Sequence, residues 1–582
     1  MTDTPMSKTA ILKSRTFWCL LTVCCLCVLP FLDFDYNTKG EPRESLVSYS
    51  MLHSGNWILP RNSVGEIAYK PPMLHWCVAA VSMLRGEVTE QSSRIPSAVA
   101  FIALTVATYV FFRRRTDGRT ALLTALLTFT GYELHRMGYN CRVDMLLTFF
   151  IVAAIYGLYA WHERGMRGLP LTALLMMSLG TLTKGPIGAL LPCLITGVYL
   201  LCRKVSLWRS LLWMTVFGLL SLILPALWYF AAYQQSGDEF IRLMMEENVG
   251  RMTNTMSYKV HVEPWYINFL YVLMGMAPWT LLGLIALVMN PRQAKVQVSG
   301  SWRTWPRRLV GWLTHLAPLT LHATVATCVT VVFFCIPECK RSVYLMPIYP
   351  FLCYLTARWL MVLAERKSKA FDLHGGILAV LGALAALVFI ALKFITVPQD
   401  LFHGRKAYDN WEMVHQVSTT QGIVAWLIIA LLLGTCIYWW QWRRNDREAH
   451  HHLMATMVLT MVIYLAFDGV FKPAILNAKS QKHIAQEIVS HVGQAPLYEY
   501  IESGVKAMGD PIHYYELNFY LHDRIDNFHN RRPTTGYLLI GDEDAKLRMP
   551  DFINEGYHFE RVYDSGREPI LKQTLHLYRF WK

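Results

Sequence analysis

The chain has 582 residues, 54% of them hydrophobic and only 16% charged, which is more apolar side chain than one soluble core can absorb. A formal charge of +14 would suit nucleic acid, but Lys and Arg stand in short runs between long apolar stretches, the pattern of membrane-protein loops, so nucleic-acid binding is set aside. Thirteen cysteines in this length do not make a disulfide scaffold, and Cys335 and Cys339, close to a predicted membrane exit, are read as free thiols because spacing alone does not give bridging geometry.

In chain order, Lys8, Lys13 and Arg15 precede an apolar run with no small-residue cleavage site after it, which predicts an uncleaved first span. Windows apolar enough to cross the hydrocarbon as helices fall near 16–33, 97–112, 120–134, 145–161, 169–183, 187–202, 210–233, 265–289, 317–336, 343–363, 374–395, 421–441 and 452–468. The expectation is a mainly α, polytopic bundle of about thirteen spans. With a cytoplasmic N-terminus, the basic clusters Arg113–Arg115, Arg164/Arg167, Arg203/Lys204/Arg209, Arg303/Arg307/Arg308, Arg366/Lys367/Lys369 and Arg443/Arg444/Arg447 all fall on the cytoplasmic side. A first loop (34–96), a middle loop (234–264) and the tail after 470 are then extracytoplasmic. Helix-like Ser480–Val492 and strand-like Gly536–Ile540 and Thr574–Phe580 predict a small α/β domain over 471–582, following a membrane domain over 1–470. In the first loop, Glu44–His53 and Met73–Met83 are amphipathic and suit a membrane surface. The sequence holds no internal repeat, P-loop or dinucleotide-binding glycine pattern, so ATP-driven chemistry is not indicated.

Charge beside hydrocarbon needs a partner or a function, and five clusters at the outer boundary stand out. Gly40-Glu41-Pro42-Arg43-Glu44 puts two carboxylates and a guanidinium within one helical turn, a pattern that also suits a capped juxtamembrane helix. Tyr69-Lys70-Pro71-Pro72, with His75 and Trp76, holds a lysine on extended backbone, as a ligand contact or an interfacial anchor. Arg136, Arg142 and Asp144 precede or open an apolar run in which an ionised Asp144 needs a partner such as Arg142 or Lys70. Thr183-Lys184-Gly185-Pro186 breaks a long apolar stretch and leaves Lys184 at a tight turn. Cys339-Lys340-Arg341 with Tyr344 places cations in a short outer loop, against the usual charge bias. Lys70, Lys184, Lys340 and Arg341 at one depth would make a cationic ring suited to a phosphate or diphosphate. His450, His451 and His452 look like a metal patch but fall in a cytoplasmic basic loop and are read as solvated.

Taken in order, these pieces resemble the GT-C membrane glycosyltransferases of the aminoarabinose transferase and protein O-mannosyltransferase superfamily. They are Glu41-Pro42-Arg43, Met51 to Pro60, Tyr69-Lys70-Pro71-Pro72, Arg94-Ile95-Pro96, Arg142-Val143-Asp144, Thr183-Lys184-Gly185-Pro186, Pro264-Trp265-Tyr266 with Pro278-Trp279, and Lys340 with Tyr344 and Pro347. Their order and spacing are most similar to the aminoarabinose transferase branch. The resemblance implies an inverting enzyme of a bacterial inner membrane that uses an undecaprenyl-phosphate sugar, with acidic residues of the outer loops at its site. The family's first acid is absent here, so Glu41 or Glu44 must substitute. The family's metal-binding acid and histidine are replaced by Tyr69 and Asn248, so no metal or other cofactor is expected.

On this reading Lys70, Lys184, Lys340, Arg341 and Arg251 stabilise the leaving phosphate, with Arg43, Tyr69, Arg142 and Tyr344 as further binding residues. Asp144, Glu41 or Glu44 would take the proton of a hydroxyl acceptor, or orient the substrates if the acceptor is a phosphate. The expected acceptor is a lipid A-type or other envelope glycolipid, or, alternatively, a protein. Two readings of other classes compete. A lipid-linked sugar flippase would carry repeated halves and polar residues deep in its spans, which this sequence lacks. A non-catalytic membrane scaffold is disfavoured by the retention of Asp144 and the lysines.

Overall fold

The structure is a computed structural model that describes residues 5–38, 40–62, 65–68, 70–250, 253, 262–289, 315–366, 368–404, 406–445, 449–502, 513–566 and 574–582. Contacts within it sort the chain into two units: Met1–Leu32 with Ser97–Leu227 and Glu263–Ile475, and Asp33–Pro96 with Trp228–Val262 and Leu476–Lys582.

The first unit is helical. Among the described residues, eight helices are long and apolar enough to cross a membrane: Glu90–Arg113, Val143–Glu163, Leu207–Asn248, Pro318–Cys335, Ser342–Glu365, Ala370–Ala391, Ile423–Trp442 and His450–Asn477. Ile267–Gly275 and Trp279–Met289 form a ninth crossing only if taken together, and they bend by 99°. Arg15–Phe31, Leu171–Lys184 and Ile187–Cys202 are shorter apolar helices, and Gly118–Thr130 has 13 residues. Each apolar window of the sequence is thus helical, but five of the thirteen are too short or too bent to pass as one straight span.

The reason is visible at residues 171–202. Leu171–Lys184, with 14 residues, rises only about 21 Å because the chain breaks at Gly185, whose φ of 79° and ψ of −162° are open to glycine and closed to side chains with a Cβ. Pro186 then opens the next helix, where its missing N–H costs nothing. The two helices cross backbone to backbone: a Cβ on Gly188 would lie 2.2 Å from the carbonyl carbon of Gly180. This close crossing fixes the turn that carries Lys184.

In the second unit, strands β1 (Leu497–Tyr500), β2 (Ile525–Asn527), β3 (Thr535–Gly541), β4 (His558–Asp564) and β5 (Leu575–Trp581) form one sheet in the order β2-β1-β3-β5-β4. β1 pairs in parallel with β2 and β3, while β5 runs antiparallel to β3 and β4. The alternation of side chains along a strand builds two cores. Leu539, Leu575 and Leu577 pack with Ile484 and Ile488 of helix Lys482–Val492, whereas Leu538, Ile540 and Phe580 pack with Ala545 and Phe552 of helix Asp542–Asn554. The strand-like and helix-like runs of the tail therefore form as the pattern predicts.

The first loop packs into this same unit, with helices Gly40–Ser54 and Met73–Arg85 covering both of its amphipathic stretches. A buried polar bridge ties it to the tail. The His513 ring bonds Glu499 of β1 through Nδ1 and Glu66 of the loop through Nε2 at 3.1 Å, and the Tyr515 hydroxyl donates to Glu66 at 3.0 Å. Burial alone would lower the basicity of His513, but its hydrogen bonds to Glu499 and Glu66 and their charges push its pKa up to about 10. A folded-state value above the unfolded value of about 6.5 means that the bridge stabilises in full below that pH and is lost as pH climbs toward the folded value. Comparing thermal unfolding of wild type and His513→Gln across pH, we expect the gap in midpoint to be widest near pH ~6 and to close by pH ~10. A gap independent of pH would contradict the bridge.

Candidate active site

Helix Val143–Glu163 starts at Arg142, and Asp144 lies in its first turn, where the helix dipole favours an anion. Asp144 is only 3% exposed, so its charge has to be met by protein. Lys184 Nζ, delivered by the Gly185 turn, donates to Oδ1 at 2.5 Å, and Arg142 Nε stands 3.7 Å from Oδ2. Arg341 acts on the same carboxylate through its charge. The Lys184 ammonium also lies 4.6 Å from the centroid of the Tyr344 ring, which packs against Phe334. The short helix Ser342–Ile348 that carries Tyr344 packs on helix Val143–Glu163 and so brings this loop to the carboxylate.

Among the described residues two cations, Lys184 and Arg142, pair with this one anion, and Arg341 adds positive charge at longer range. Asp144 therefore orders Lys184, Arg142 and Arg341 without neutralising them, and a phosphate group is the natural counter-charge. Lys340 is placed differently from the ring expected of it: it is 4% exposed and its Nζ donates to the Pro337 carbonyl at 2.5 Å. Its ammonium satisfies the backbone of its own loop.

The second unit carries another carboxylate centre. Glu44, 3% exposed, accepts from Lys70 Nζ on Oε1 and bonds His75 Nε2 at 3.0 Å through Oε2, with Arg43 3.5 Å away. Burial would raise its pKa, yet Lys70, the His75 bond and Arg43 together hold it well below the usual carboxylate range. Glu41, three residues earlier, has a different partner. Arg94 Nε and Nη2 donate to its two oxygens at 2.9 and 3.1 Å, and Arg94 is fully buried, with Phe34 stacked 3.6 Å from its guanidinium. The two acids that sequence leaves interchangeable are thus separated: Glu41 closes a buried ion pair, while Glu44 stands with cations at the Lys70 turn.

Tyr69 and Arg251 lie outside the described residues. Asn248 spends its amide on the Met244 carbonyl at 2.9 Å, and among the described residues no three His, Cys, Asp or Glu side chains gather to hold a metal ion.

Arg136, the remaining member of the third cluster, pairs with the buried Glu133 at 2.8 Å, and one further centre escapes the sequence reading. His135 Nε2 bonds Asp468 Oδ2 at 2.6 Å, with Lys472 Nζ 3.4 Å from Oδ1, where helix His450–Asn477 widens into a π turn at Phe467–Phe471. The signal was available in principle, since Asp468 is the single acid in that apolar helix.

The chain is similar to several known proteins. Residues 69–229 match the family described as dolichyl-phosphate-mannose-protein mannosyltransferase. The undecaprenyl phosphate-alpha-4-amino-4-deoxy-L-arabinose arabinosyl transferase of Enterobacter sp. (strain 638) is 22% identical over 93% of this chain and 96% of its own. Its namesake from Pseudomonas aeruginosa (strain UCBPP-PA14) is 26% identical over 72% and 76%. A protein of Aquifex aeolicus (strain VF5) is 28% identical over 61% of this chain, and the match spans 66% of that relative's length. The crystal structure of ArnT from Cupriavidus metallidurans bound to undecaprenyl phosphate shares the fold, with a TM-score of 0.66 at 17% identity over 97% of this chain and 98% of that one. The chain is thus similar to GT-C membrane glycosyltransferases of the aminoarabinose transferase and protein mannosyltransferase type, and it has the fold of the Cupriavidus enzyme. It is a multi-pass membrane protein.

The separation of the two acids has a measurable consequence. Glu41→Gln leaves the Arg94 charge buried without its anion, so we expect it to cost about 3–5 kcal/mol of stability, read as a lowered unfolding midpoint in detergent. If Glu41→Gln unfolds at the wild-type temperature, the ion pair is not structural.

Proposed function

We propose that the protein moves a sugar from an undecaprenyl-phosphate carrier to an extracytoplasmic acceptor, and that its site is organised by Asp144. The observation that carries this reading is the surplus of cations around one buried carboxylate. In the reaction the bond between the anomeric carbon and the carrier phosphate breaks, its electron pair goes to the phosphate oxygen, and the acceptor oxygen bonds the opposite face of that carbon. Charge grows on the departing phosphate, where Lys184, Arg142 and Arg341 are already in place, so no reorganisation is needed as the bond breaks. A hydroxyl acceptor gives its proton to a carboxylate, and Asp144 and Glu44 are the candidates; a phosphate acceptor needs no base. Tyr344 holds Lys184 in position, and Lys70 and Arg43 serve polar groups of the substrates beside Glu44. Lys340 supports the loop that carries Arg341, and Tyr69 and Arg251 complete the set of proposed binding residues. Glu41 keeps the Gly40–Ser54 helix in place through Arg94.

The proposed acceptor is an envelope glycolipid of the lipid A type, which the aminoarabinose transferase relatives favour. The match of residues 69–229 to protein mannosyltransferases supports a protein acceptor as the second reading. The proposed setting is a bacterial inner membrane, with thirteen spans counting the short helices, a cytoplasmic N-terminus and a periplasmic domain over 471–582.

The test is sugar transfer by the purified protein from undecaprenyl-phosphate sugars, with Asp144→Asn and Lys184→Ala beside wild type. We expect transfer by wild type and a loss of about a hundredfold or more in each folded variant. Donor that is bound and never consumed, with glycolipid and protein acceptors alike, would overturn the reading in favour of a flippase or scaffold.

A further inference from the structure

The histidine run 450–452 is left unused by the transferase reading, and the structure divides it. His452 turns inward and bonds Asp372. His450 and His451 instead line a cleft between helices Gly118–Thr130, Tyr349–Glu365 and Ala449–Ala466, together with Arg119. The rest of its wall is apolar: Leu122, Leu123, Met361, Leu453 and Met454. Among the described residues the lining holds no carboxylate. Of the described acids in the neighbouring segments, Asp117 caps the Thr120 N–H at 2.9 Å and Asp372 bonds His452, while Glu365 ends helix Tyr349–Glu365 one turn beyond Met361, outside the lining. His451 also stacks on Trp442, with centroids 5.9 Å apart.

We propose that this cleft binds an anionic phospholipid of the surrounding bilayer, with its phosphate held by Arg119, His450 and His451 and an acyl chain laid along Leu122, Leu123, Met361 and Met454. Charge complementarity selects the occupant. A basic rim above an apolar wall, set between membrane helices at the end of the bundle where the sequence clusters Arg113–Arg115 and Arg443/Arg444, matches a lipid that is anionic at its head and apolar below it. A soluble anion would use the rim and leave the wall empty. A metal ion would need His452, which faces the other way.

The experiment is native mass spectrometry of the full chain in detergent, titrated with phosphatidylglycerol, phosphatidylcholine or inorganic phosphate. Arg119→Glu is the test variant: Arg119 is exposed in the first turn of its helix, where an acid is welcome, so the variant folds. Lys8→Glu is the matched control, an exposed charge reversal at the start of another helix. We expect phosphatidylglycerol to be retained in preference to phosphatidylcholine, Arg119→Glu to weaken that retention by at least about fivefold, and Lys8→Glu to leave it unchanged. Equal retention of the two lipids, equal loss in both variants, or full displacement of phosphatidylglycerol by inorganic phosphate would each overturn the site. Neither variant touches the residues assigned to transfer, so the outcome is independent of the proposed reaction.

Discussion

A carboxylate at the edge of hydrocarbon is the constraint on which the site depends. Asp144 opens an apolar span and is almost fully buried, and an isolated anion there would cost several kcal/mol. The fold answers with cations from three separate places in sequence: Arg142 beside it, Lys184 forty residues on, and Arg341 nearly two hundred residues on. Each place is prepared by local chemistry. The Gly185 turn and the Gly180–Gly188 crossing set Lys184, and the short helix Ser342–Ile348 sets the loop of Arg341. Two cations paired with one anion, with Arg341 adding charge at longer range, leave the surroundings of Asp144 positive, which is the property the proposed phosphate site rests on.

Much of this was legible in the sequence because membrane proteins concentrate their polar information. Every apolar window became a helix, and the break at Thr183-Lys184-Gly185-Pro186 was readable as a turn with a lysine on it. Asp144 stood out as an acid opening an apolar run, and its need for a cation was evident; that the main cation is Lys184 was not, since periodicity says nothing about which distant turn meets which helix. The same limit hid the partner of Glu41. Glu41 and Glu44 lie within one helical turn with a similar local environment, and only Arg94, fifty-three residues later in sequence, tells them apart. Lys340 and Arg341 are neighbours with the same charge, but one ammonium is taken up by the Pro337 carbonyl.

The tail illustrates the other side. Two of its five strands, β3 and β5, were legible because they are rich in Leu, Ile and aromatic residues, yet β1, β2 and β4 were not, and the strand order, with β1 between β2 and β3 and an antiparallel pair added at one edge, has no signature in a single sequence. Nor has the His513 bridge, whose two carboxylates come from β1 and from a loop more than four hundred residues earlier.

The most direct test of the central claim is the affinity of undecaprenyl phosphate for wild type, Asp144→Asn and Lys184→Ala, measured beside turnover. Asn at position 144 keeps the side-chain oxygen that accepts from Lys184 but removes the negative charge that opposes a phosphate, so Asp144→Asn binds at least as tightly as wild type while losing turnover, and Lys184→Ala weakens binding by about tenfold. Loss of affinity in Asp144→Asn that matches its loss of turnover, with Lys184→Ala unaffected, would contradict the account.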